Sequence, residues 1–346
     1  MRKVYGKDRI RYLRCRSCAR EFSERRNTAL FNSKIEESKA ISVAEHLAEG
    51  VSTKGTSRLV GVSPEAIRRL RRSLGDHSRD LHGERVRDVG ATSVEMDERY
   101  GYVASKKNPY WEATAIDPES RLLIGFVAGE RDTSLIKELM ESTKRRLKDP
   151  SDLVVMSDGH RSYEGLFPCV FGEPYRPARK GVRGRFPKVR HRVPRSLAHL
   201  QVLKRRQGGR VVEVISRAAH GSWKRVEKEL EKLGYSDPNL SAIERQNGTS
   251  RRMNAYLVRR SLAFARYAQK LWIEDFVRHA VYLPQKVIER ADVAAAAGRN
   301  TDVEHTPRWP SPRRTQPRPR RDRPCRSKED AGPRAGGRGR CLHRSG

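Results

Sequence analysis

The sequence predicts a mixed α/β sheet with helices, preceded by a small all-α unit. Residues 34–76 carry apolar side chains at helical spacing, whereas apolar runs of strand length dominate between residues 93 and 160. Those runs lie in TSVEMDERYGYVAS, in YWEATAIDPESRLLIGFVAG, where IDPES is a turn between two strands, and in SDLVVMSDG. The amphipathic stretch TSLIKELMESTKRRL precedes the last of them. Three strands, a helix and a further strand indicate a sheet with crossover connections.

The first 33 residues contain a C-x2-C knuckle formed by Cys15 and Cys18. Such a knuckle supplies two of the four thiolate or imidazole ligands of a structural zinc site. The next cysteine is Cys169 and the first histidine is His46, so a second ligand pair is missing from this part of the chain. We interpret residues 1–33 as a partial, zinc-ribbon-like segment that does not bind zinc tightly unless ligands come from elsewhere, such as a second subunit.

Three short helices are predicted between residues 34 and 76. The last begins in VSPEAIRRLRRSLG, where Ser63 is a suitable N-cap and Pro64 occupies the first helical position. A basic final helix after a glycine-containing turn is typical of a helix-turn-helix, whose last helix enters the major groove of DNA. The alternative is a three-helix packing unit with a solvated charged face. On the first interpretation, the DNA-binding residues of this helix are Arg68, Arg69, Arg71 and Arg72.

The remaining boundaries follow from changes in composition. Residues 77–92 are polar and predict a linker, and residues 93–283 form the α/β domain. Within that domain, the basic segment at about 173–196 contains enough Pro and Gly to predict a mobile insertion without regular structure near the nucleic acid. The tail, residues 284–346, ends in a Pro- and Arg-rich stretch with almost no aliphatic side chains, which predicts disorder. An altered reading frame at the end of the gene explains that composition equally well.

The charge of the chain indicates a polyanionic partner. Of its 346 residues, 74 are Lys or Arg and 42 are Asp or Glu, which gives a formal net charge of +32. Nucleic acid is the favoured partner, and a membrane surface is the rival. No apolar run approaches the roughly 20 residues of a spanning helix, and the N-terminus lacks the apolar core of a signal peptide. We expect a cytoplasmic, nucleoid-associated protein without a membrane partner, and its five cysteines do not suggest a secreted disulfide framework.

Three carboxylates lie in positions suited to chemistry. Asp97 lies in VEMDERYGYV, the first strand of the α/β domain, and Asp158 follows the run LVVM at a strand end, where ligands gather in open α/β sheets. Glu244 is the single acidic residue among seven cations between Asn239 and Lys270. A surface built only to attract phosphate would omit it, because a negative charge weakens the field of its neighbours. Taken singly, each carboxylate could instead be a turn residue or a salt-bridge partner.

The chain resembles the DDE transposases of bacterial insertion sequences, which have a ribonuclease-H-like catalytic fold and are related to retroviral integrases. The resemblance extends from Cys15 to about Tyr282. It is carried by CRSCAREFSERRNTALF, GVSTKGTSRLVGVSPEAIRRL, VEMDERYGYVASKK, AIDPESRLLIGFVAG, VMSDGHRSY and, most strongly, AIERQNGTSRRMNAYLVRRSLAFAR. In that family the first Asp lies on the first strand, the second after the fourth strand and the Glu on a late helix. Asp97, Asp158 and Glu244 match these positions.

The resemblance implies a metal-dependent transposase. Asp97 would bridge two Mg²⁺ (or Mn²⁺) ions, and Asp158 and Glu244 would each hold one; two such ions about 3.5–4 Å apart can activate an attacking oxygen and stabilise the leaving one. Water would first release a 3′-hydroxyl at the element's end, and that hydroxyl would then join it to target DNA. The implied partners are double-stranded DNA, at element ends and target, and further copies of the chain in a homo-oligomer on DNA. The arginines that would neutralise phosphates near the glutamate are Arg245, Arg251, Arg252, Arg259 and Arg260.

The sequence departs from the family pattern, and two other functions remain open. The family usually carries a full zinc ribbon, so a start at Met1 is expected to be a truncation; a Trp often found after the first Asp is replaced by Tyr100 or Tyr102. A non-catalytic DNA-binding regulator, including a decayed transposase, is the first alternative. A nuclease acting on structured nucleic acid is the second, and it would differ in lacking strand transfer.

Overall fold

The computed structural model describes residues 3–5, 10–179, 186–258, 264–269 and 272–278. Its first element is a small antiparallel sheet of three strands, β1 (Lys3–Tyr5), β2 (Ile10–Arg14) and β3 (Glu21–Ser23). The C-x2-C pair lies in the turn between β2 and β3. The predicted tail, residues 284–346, lies outside the described residues, as do Arg259 and Arg260.

Three helices follow, namely α1 (Glu37–Ala48), α2 (Thr53–Val60) and α3 (Pro64–Arg85). The Ser63 hydroxyl caps α3 as predicted, because it accepts a hydrogen bond from the Ala66 amide at 3.3 Å. Gly61 ends α2 with a φ of 70°, a left-handed conformation that glycine adopts without steric penalty. The apolar faces of the three helices share one core, which includes Val43, Leu47, Ile67, Leu70 and Leu74.

Helix α3 is longer than the sequence predicts. It continues to Arg85, so residues 77–85 are helical, whereas the polar composition of 77–92 predicts a linker. Ser78 and His82 are buried on one face of this extension. Just before it, a Cβ at Gly75 would lie 2.9 Å from the Ile273 side chain. The polar composition of this segment does not reveal that one of its faces is buried, because the residues that cover this face come from distant parts of the chain.

The central sheet has six strands, namely β4 (Ser93–Tyr102), β5 (Pro109–Ile116), β6 (Leu123–Gly129), β7 (Val154–Ser157), β10 (Ala198–Gln207) and β11 (Arg210–His220). Their order in the sheet is β11-β10-β7-β4-β5-β6. β4 is antiparallel to β5 and parallel to β7, and β7 is parallel to β10. Helix α4 (Thr133–Arg146) lies between β6 and β7 in the chain. The predicted order of three strands, a helix and a strand in a mixed α/β sheet is therefore confirmed.

The hairpin of β10 and β11 was not predicted from the sequence. Its two-residue turn, Gly208 and Gly209, has φ values of 58° and 81°. A type I′ hairpin turn requires positive φ at both positions, and a Gly-Gly pair between strands of alternating residues is a signal for it. The many cations around the turn obscured that signal.

The basic segment at 173–196 is partly regular, which corrects the prediction of an insertion without regular structure. β8 (Glu173–Tyr175) pairs with β9 (Arg190–Arg192), and an ion pair of 2.8 Å joins Arg192 to Glu173. Residues 180–185, between these strands, lie outside the described residues. The Pro and Gly content suggested that this backbone would adopt no regular structure. Pairing between β8 and β9 instead satisfies part of its hydrogen-bonding groups.

Helices cover both faces of the central sheet. α4 and α5 (Arg161–Phe171) contribute to the core on one face, and α6 (Trp223–Lys232) and α7 (Ser241–Met253) contribute to the core on the other. Neighbouring residues of β7 serve different cores, since Val155 belongs to the first and Met156 to the second. A last helix, α8, spans residues 272–278. Among the described helices, none is long and apolar enough to cross a membrane.

Buried His82 makes one contribution to stability dependent on pH. Its Nε2 lies 2.9 Å from the Leu123 carbonyl oxygen, and burial lowers the pKa of His82 to about 4 against the effect of that hydrogen bond. The unfolded chain therefore binds this proton more readily, and the contribution is lost as pH falls from about 6.5 towards 4. Between pH 7 and pH 5 we expect the wild-type free energy of unfolding to fall by about 2 kcal/mol more than that of His82→Gln. Denaturant titrations at both pH values test this, and parallel pH curves would contradict it.

Candidate active site

Three carboxylates that are distant in sequence line one cavity of about 420 Å³. Asp97 lies on β4, Asp158 directly follows β7, and Glu244 lies in the first turn of α7. β4 and β7 are parallel neighbours, and Met96 is paired with Ser157. The residues that follow these two, Asp97 and Asp158, therefore lie side by side on adjacent strand segments. The rest of the lining consists of Gly159, Val202, Leu203, Lys204, Arg206 and Leu240.

Asp97 is a partly buried carboxylate held by two donors. Its Oδ1 accepts from the Glu98 amide at 2.9 Å, and its Oδ2 accepts from the side-chain amide of Asn247 on α7 at 2.7 Å. Burial raises the pKa of Asp97 to about 7, and the negative charges of Asp158 and Glu98 add to the rise. A cation beside these carboxylates would offset that cost, because it favours their ionised forms.

Asp158 combines a turn role with a place in the cavity. Its Oδ1 accepts from the His160 amide at 2.9 Å, so the turn alternative considered from the sequence is also realised. The Ser157 hydroxyl donates to the Asp158 carbonyl oxygen at 2.9 Å and lies 2.9 Å from Nε2 of the buried His199 on β10. The turn that carries Asp158 is thus fixed to the neighbouring strand.

Glu244 forms an ion pair with Lys204 of β10, and its side chain is 48% exposed. The ion-pair partner of Glu244 is thus a lysine 40 residues earlier in the chain, and not one of the arginines close to it in sequence. In the ranges that the structure describes, no group of three His, Cys, Asp or Glu side chains is arranged to hold a metal ion. In this arrangement Glu244 neutralises Lys204 instead of joining the two aspartates.

The donor chemistry of the cavity suits a hard divalent cation. Carboxylate oxygens are the ligands that Mg²⁺ prefers in proteins. Asp158 is close enough to Asp97 that its negative charge contributes to the raised pKa of Asp97, which is the repulsion that a bound cation relieves. Glu244, exposed at the cavity, is the residue that would add a third carboxylate.

The sequence predicts DNA contacts from four arginines of α3, namely Arg68, Arg69, Arg71 and Arg72. The first two pair with Glu65 at 2.7 and 3.4 Å, yet their side chains remain 55% and 79% exposed, and Arg72 is also exposed. Arg71 forms an ion pair of 2.7 Å with Glu274 of α8, and its side chain is only 15% exposed. Arg71 therefore joins α3 to α8, whereas the other three are accessible to a polyanion.

The arginines predicted around Glu244 divide in a similar way. Arg245 and Arg252 are exposed on α7, and Arg251 is half-buried. Arg259 and Arg260 lie outside the described residues. Of these five arginines, Arg245 and Arg252 are therefore the two that the structure shows to be accessible to a partner.

Cys15 and Cys18 lie together at the surface of the N-terminal sheet. The Cys15 Sγ is 3.2 Å from the Ser17 hydroxyl, and this hydrogen bond, with the backbone amides of Cys18 and Ser17, lowers the pKa of Cys15 to about 6. A lowered pKa favours the thiolate, which is the metal-binding form. Nevertheless, in the described parts of the chain these two thiols belong to no group of three or more metal-ligating side chains.

We expect the purified protein to retain much less than one zinc per chain after dialysis against a weak chelator, because two thiolates are half of a tetrahedral ligand set. Metal analysis by mass spectrometry measures the zinc content. The Cys15→Ser variant should contain the same low amount of zinc as the wild type. One tightly held zinc per chain, lost in Cys15→Ser, would contradict the prediction and show that the missing ligands come from elsewhere.

Three residues that shape the cavity were not predicted from the sequence. Lys204 and Arg206 come from the β10 end of the unpredicted hairpin, and Asn247 binds Asp97 from α7. Asn247 lies three residues after Glu244, which places both on one side of a helix, so its signal was present in the sequence. Lys204 and Arg206 carried no such signal, because they are two cations in a chain that is basic throughout.

No protein-family model matches the chain. Part of it is similar to the insertion element IS1 protein InsB of Shigella sonnei, with 37% identity over 72 residues, which are 20% of this chain and 51% of that protein. The insertion element IS1 9 protein InsB of Escherichia coli K12 and an InsB protein of Haemophilus ducreyi are each 36% identical over 72 residues, 40% of their length. The chain thus spans about half, or less, of the curated relatives it matches. This partial similarity relates the chain to proteins of insertion elements.

Proposed function

We propose that this chain is a DDE-type transposase, which cleaves DNA at the ends of an insertion sequence and joins those ends to target DNA. The observation that carries the proposal is that Asp97 on β4, Asp158 after β7 and Glu244 on α7 all line one cavity. The same cavity contains Lys204 and Arg206, whose cations attract phosphate. The partial similarity to insertion-element proteins supports the same conclusion.

The strand order supports a ribonuclease-H-like fold for residues 93–283. The resemblance requires the first Asp on the first strand of the catalytic sheet and the second Asp after the fourth. β4 is the first strand of the central sheet in chain order and carries Asp97; β7 is the fourth and precedes Asp158. β4, β5 and β6 form an antiparallel meander, and the parallel pairing of β4 with β7 brings the two aspartates to neighbouring strands.

Asp97, Asp158 and Glu244 would hold two Mg²⁺ or Mn²⁺ ions. When bound, such ions activate an attacking oxygen and stabilise a leaving one. The protein's own residues prepare the site: Asn247 orients the Asp97 carboxylate, and Lys204, once released from Glu244, binds phosphate beside it. The negative charge of the carboxylates would repel DNA without these cations.

The helices α1 to α3 are proposed to act as a helix-turn-helix that binds double-stranded DNA. Arg68, Arg69 and Arg72 are exposed on α3, and the loop before it contains the left-handed Gly61. A homo-oligomer on DNA would let two such units bind two element ends. Zinc binding by the N-terminal knuckle is not required for this part of the proposal.

The double variant Arg68→Ala/Arg72→Ala is expected to weaken DNA binding and to reduce the slope of log affinity against log salt concentration by about two, roughly one for each phosphate that the missing guanidinium groups no longer neutralise. Fluorescence anisotropy at several salt concentrations measures both quantities. Lys137→Ala, an exposed cation of α4, is the matched control and should leave the slope unchanged. Equal slopes for the double variant and the wild type would remove α3 from the interface.

The function itself is tested with a supercoiled plasmid that carries the DNA flanking the gene. With Mg²⁺ or Mn²⁺ we expect nicks at the element ends followed by joined products, and excess EDTA should abolish both. Nicks without joining would favour the nuclease alternative. Tight DNA binding with neither product would favour a non-catalytic regulator, for which the Lys204–Glu244 ion pair would be a structural contact.

A further inference from the structure

Glu95 is a fully buried carboxylate on β4, two residues before Asp97 and therefore on the same face of the strand. Its Oε2 accepts from the Ile243 amide at 2.7 Å, and its Oε1 accepts from the Tyr235 hydroxyl at 3.1 Å. Ile243 lies in the first turn of α7, directly before Glu244. Burying a carboxylate is costly, so a residue that merely filled this space would be apolar.

The N-terminus of α7 is capped only in part by its own segment. Leu240, at the N-cap position, makes no side-chain hydrogen bond to the first turn, and the Asn239 side chain accepts from the Ser241 amide at 3.0 Å, two residues before Ile243. The first amides of a helix have no intrahelical partner, and the helix dipole places partial positive charge there. Glu95 satisfies one of these amides from the neighbouring strand, and its carboxylate is the type of group that this end of a helix attracts.

A second contact binds the same helix to the same strand one turn further along. Asn247 of α7 donates to Asp97 of β4 at 2.7 Å. Residues i and i+2 of a strand are separated by about 6.7 Å, and residues i and i+4 of a helix by a rise of about 6 Å. Glu95 and Asp97 therefore match Ile243 and Asn247 in spacing, and Glu244 lies between the two contacts.

We propose that Glu95 is a positioning residue that clamps α7 on β4 and so sets the place of Glu244 at the cavity. The inference rests on the proposed function, because the place of Glu244 matters only if the cavity acts on DNA. Glu95 is absent from the cavity lining, so it acts through Glu244 and through the register of α7. A slip of α7 by one turn would move Glu244 by about 5.4 Å and take it away from the cavity that Asp97 and Asp158 line.

The variants Glu95→Met and Glu95→Gln distinguish a hydrogen-bonding role of Glu95 from a role in which its side chain only fills space. Met removes both acceptors, whereas Gln keeps an oxygen that can accept from the Ile243 amide. For Glu95→Met we expect hydrogen exchange at the start of α7 to accelerate by about 10-fold or more. We expect the single-turnover cleavage rate at saturating DNA to fall by up to about 100-fold, since a misplacement of 1 Å can have that effect. The DNA affinity of Glu95→Met should stay within about threefold of wild type. For Glu95→Gln we expect both the exchange rate in α7 and the cleavage rate to lie within about threefold of wild type.

Each outcome decides one part of the inference. Wild-type exchange in α7 of Glu95→Met would overturn the clamp, and faster exchange with an unchanged cleavage rate would overturn the positioning role. Should Glu95→Met fail to fold, Tyr235→Phe removes one of the two donors and keeps the carboxylate; it is expected to accelerate exchange at Ile243 to a smaller extent, and unchanged exchange there would count against the clamp. If the wild-type protein neither cleaves DNA nor binds Mn²⁺, the proposed function is wrong and Glu95 positions no catalytic group, whereas exchange in α7 still decides whether the clamp exists.

Discussion

Asp97→Asn, Asp158→Asn and Glu244→Gln are each expected to abolish Mg²⁺-dependent cleavage of the flanking DNA while leaving DNA binding intact or tighter. On the proposed function each substitution removes a carboxylate that would hold the metal, and the loss of a negative charge relieves repulsion with phosphate. The three effects should be strongly non-additive, because the residues act on one step as a unit. Cleavage rates and binding isotherms of single and double variants measure this.

Glu227→Gln is the matched control, since Glu227 is an exposed acid of α6 outside the cavity. It should keep wild-type cleavage and binding. A purely structural role for Glu244 gives a different result, because replacing one member of an exposed ion pair costs at most about 1 kcal/mol of stability. Persistent cleavage by Glu244→Gln would therefore remove this residue from the proposed site.

Asp97→Asn should also stabilise the metal-free protein at alkaline pH. The pKa of Asp97 is raised to about 7, so the stabilising contribution of this group is fully present below its ordinary pKa of 3.8 and is lost as pH rises through about 7. At pH 8 the buried charge is a cost that Asn does not carry, and we expect a gain on the order of 2 kcal/mol. Thermal unfolding at pH 8 and pH 5 measures the difference, which should shrink at the lower pH. A variant less stable than wild type at pH 8 would indicate a structural carboxylate.

Arg99→Met is expected to destabilise the protein by about 3–5 kcal/mol near neutral pH. The Arg99 side chain is 2% exposed and forms ion pairs with Glu112, at 2.9 Å, and with Asp275 of α8. Its removal leaves buried Glu112 without this counter-ion and Asp275 with the more distant Arg278, at 3.9 Å. Burial already raises the pKa of Glu112 to about 7 despite the charge of Arg99. Denaturant titration measures the destabilisation, which should diminish at acid pH, where the carboxylates are protonated.

Lys137→Met provides the comparison for the Arg99→Met prediction. Lys137 pairs with Glu141 at 3.7 Å on the surface of α4, and both side chains are about half exposed. Such a pair contributes about 0.3–0.5 kcal/mol, so its removal should be barely measurable. Similar destabilisation by Arg99→Met and Lys137→Met would show that the buried charge cluster does not hold α8 against the sheet.

Local patterns in the sequence were sufficient to predict those structural elements that depend on residues close together in the chain. The cap at Ser63 depends on one hydroxyl and an amide three residues later. The run that precedes Asp158 is apolar because both faces of the sheet are covered. Asp158 therefore stands out from its neighbours in the sequence, whereas Asp97 lies in a strand that also carries Glu95, Glu98 and Arg99, and the family resemblance of that stretch singled it out.

Tertiary structure alone decided the features that depend on residues far apart in the chain. The end of α3 is set by contacts with α8 and β6, the exposure of Arg71 by Glu274, and the partner of Glu244 by a hairpin that brings Lys204 to the cavity. In a chain with 74 cations, composition cannot tell which of them faces an acid, a helix or the solvent. Ion pairing requires side chains to meet within about 4 Å, and that proximity is a property of the fold rather than of any local stretch.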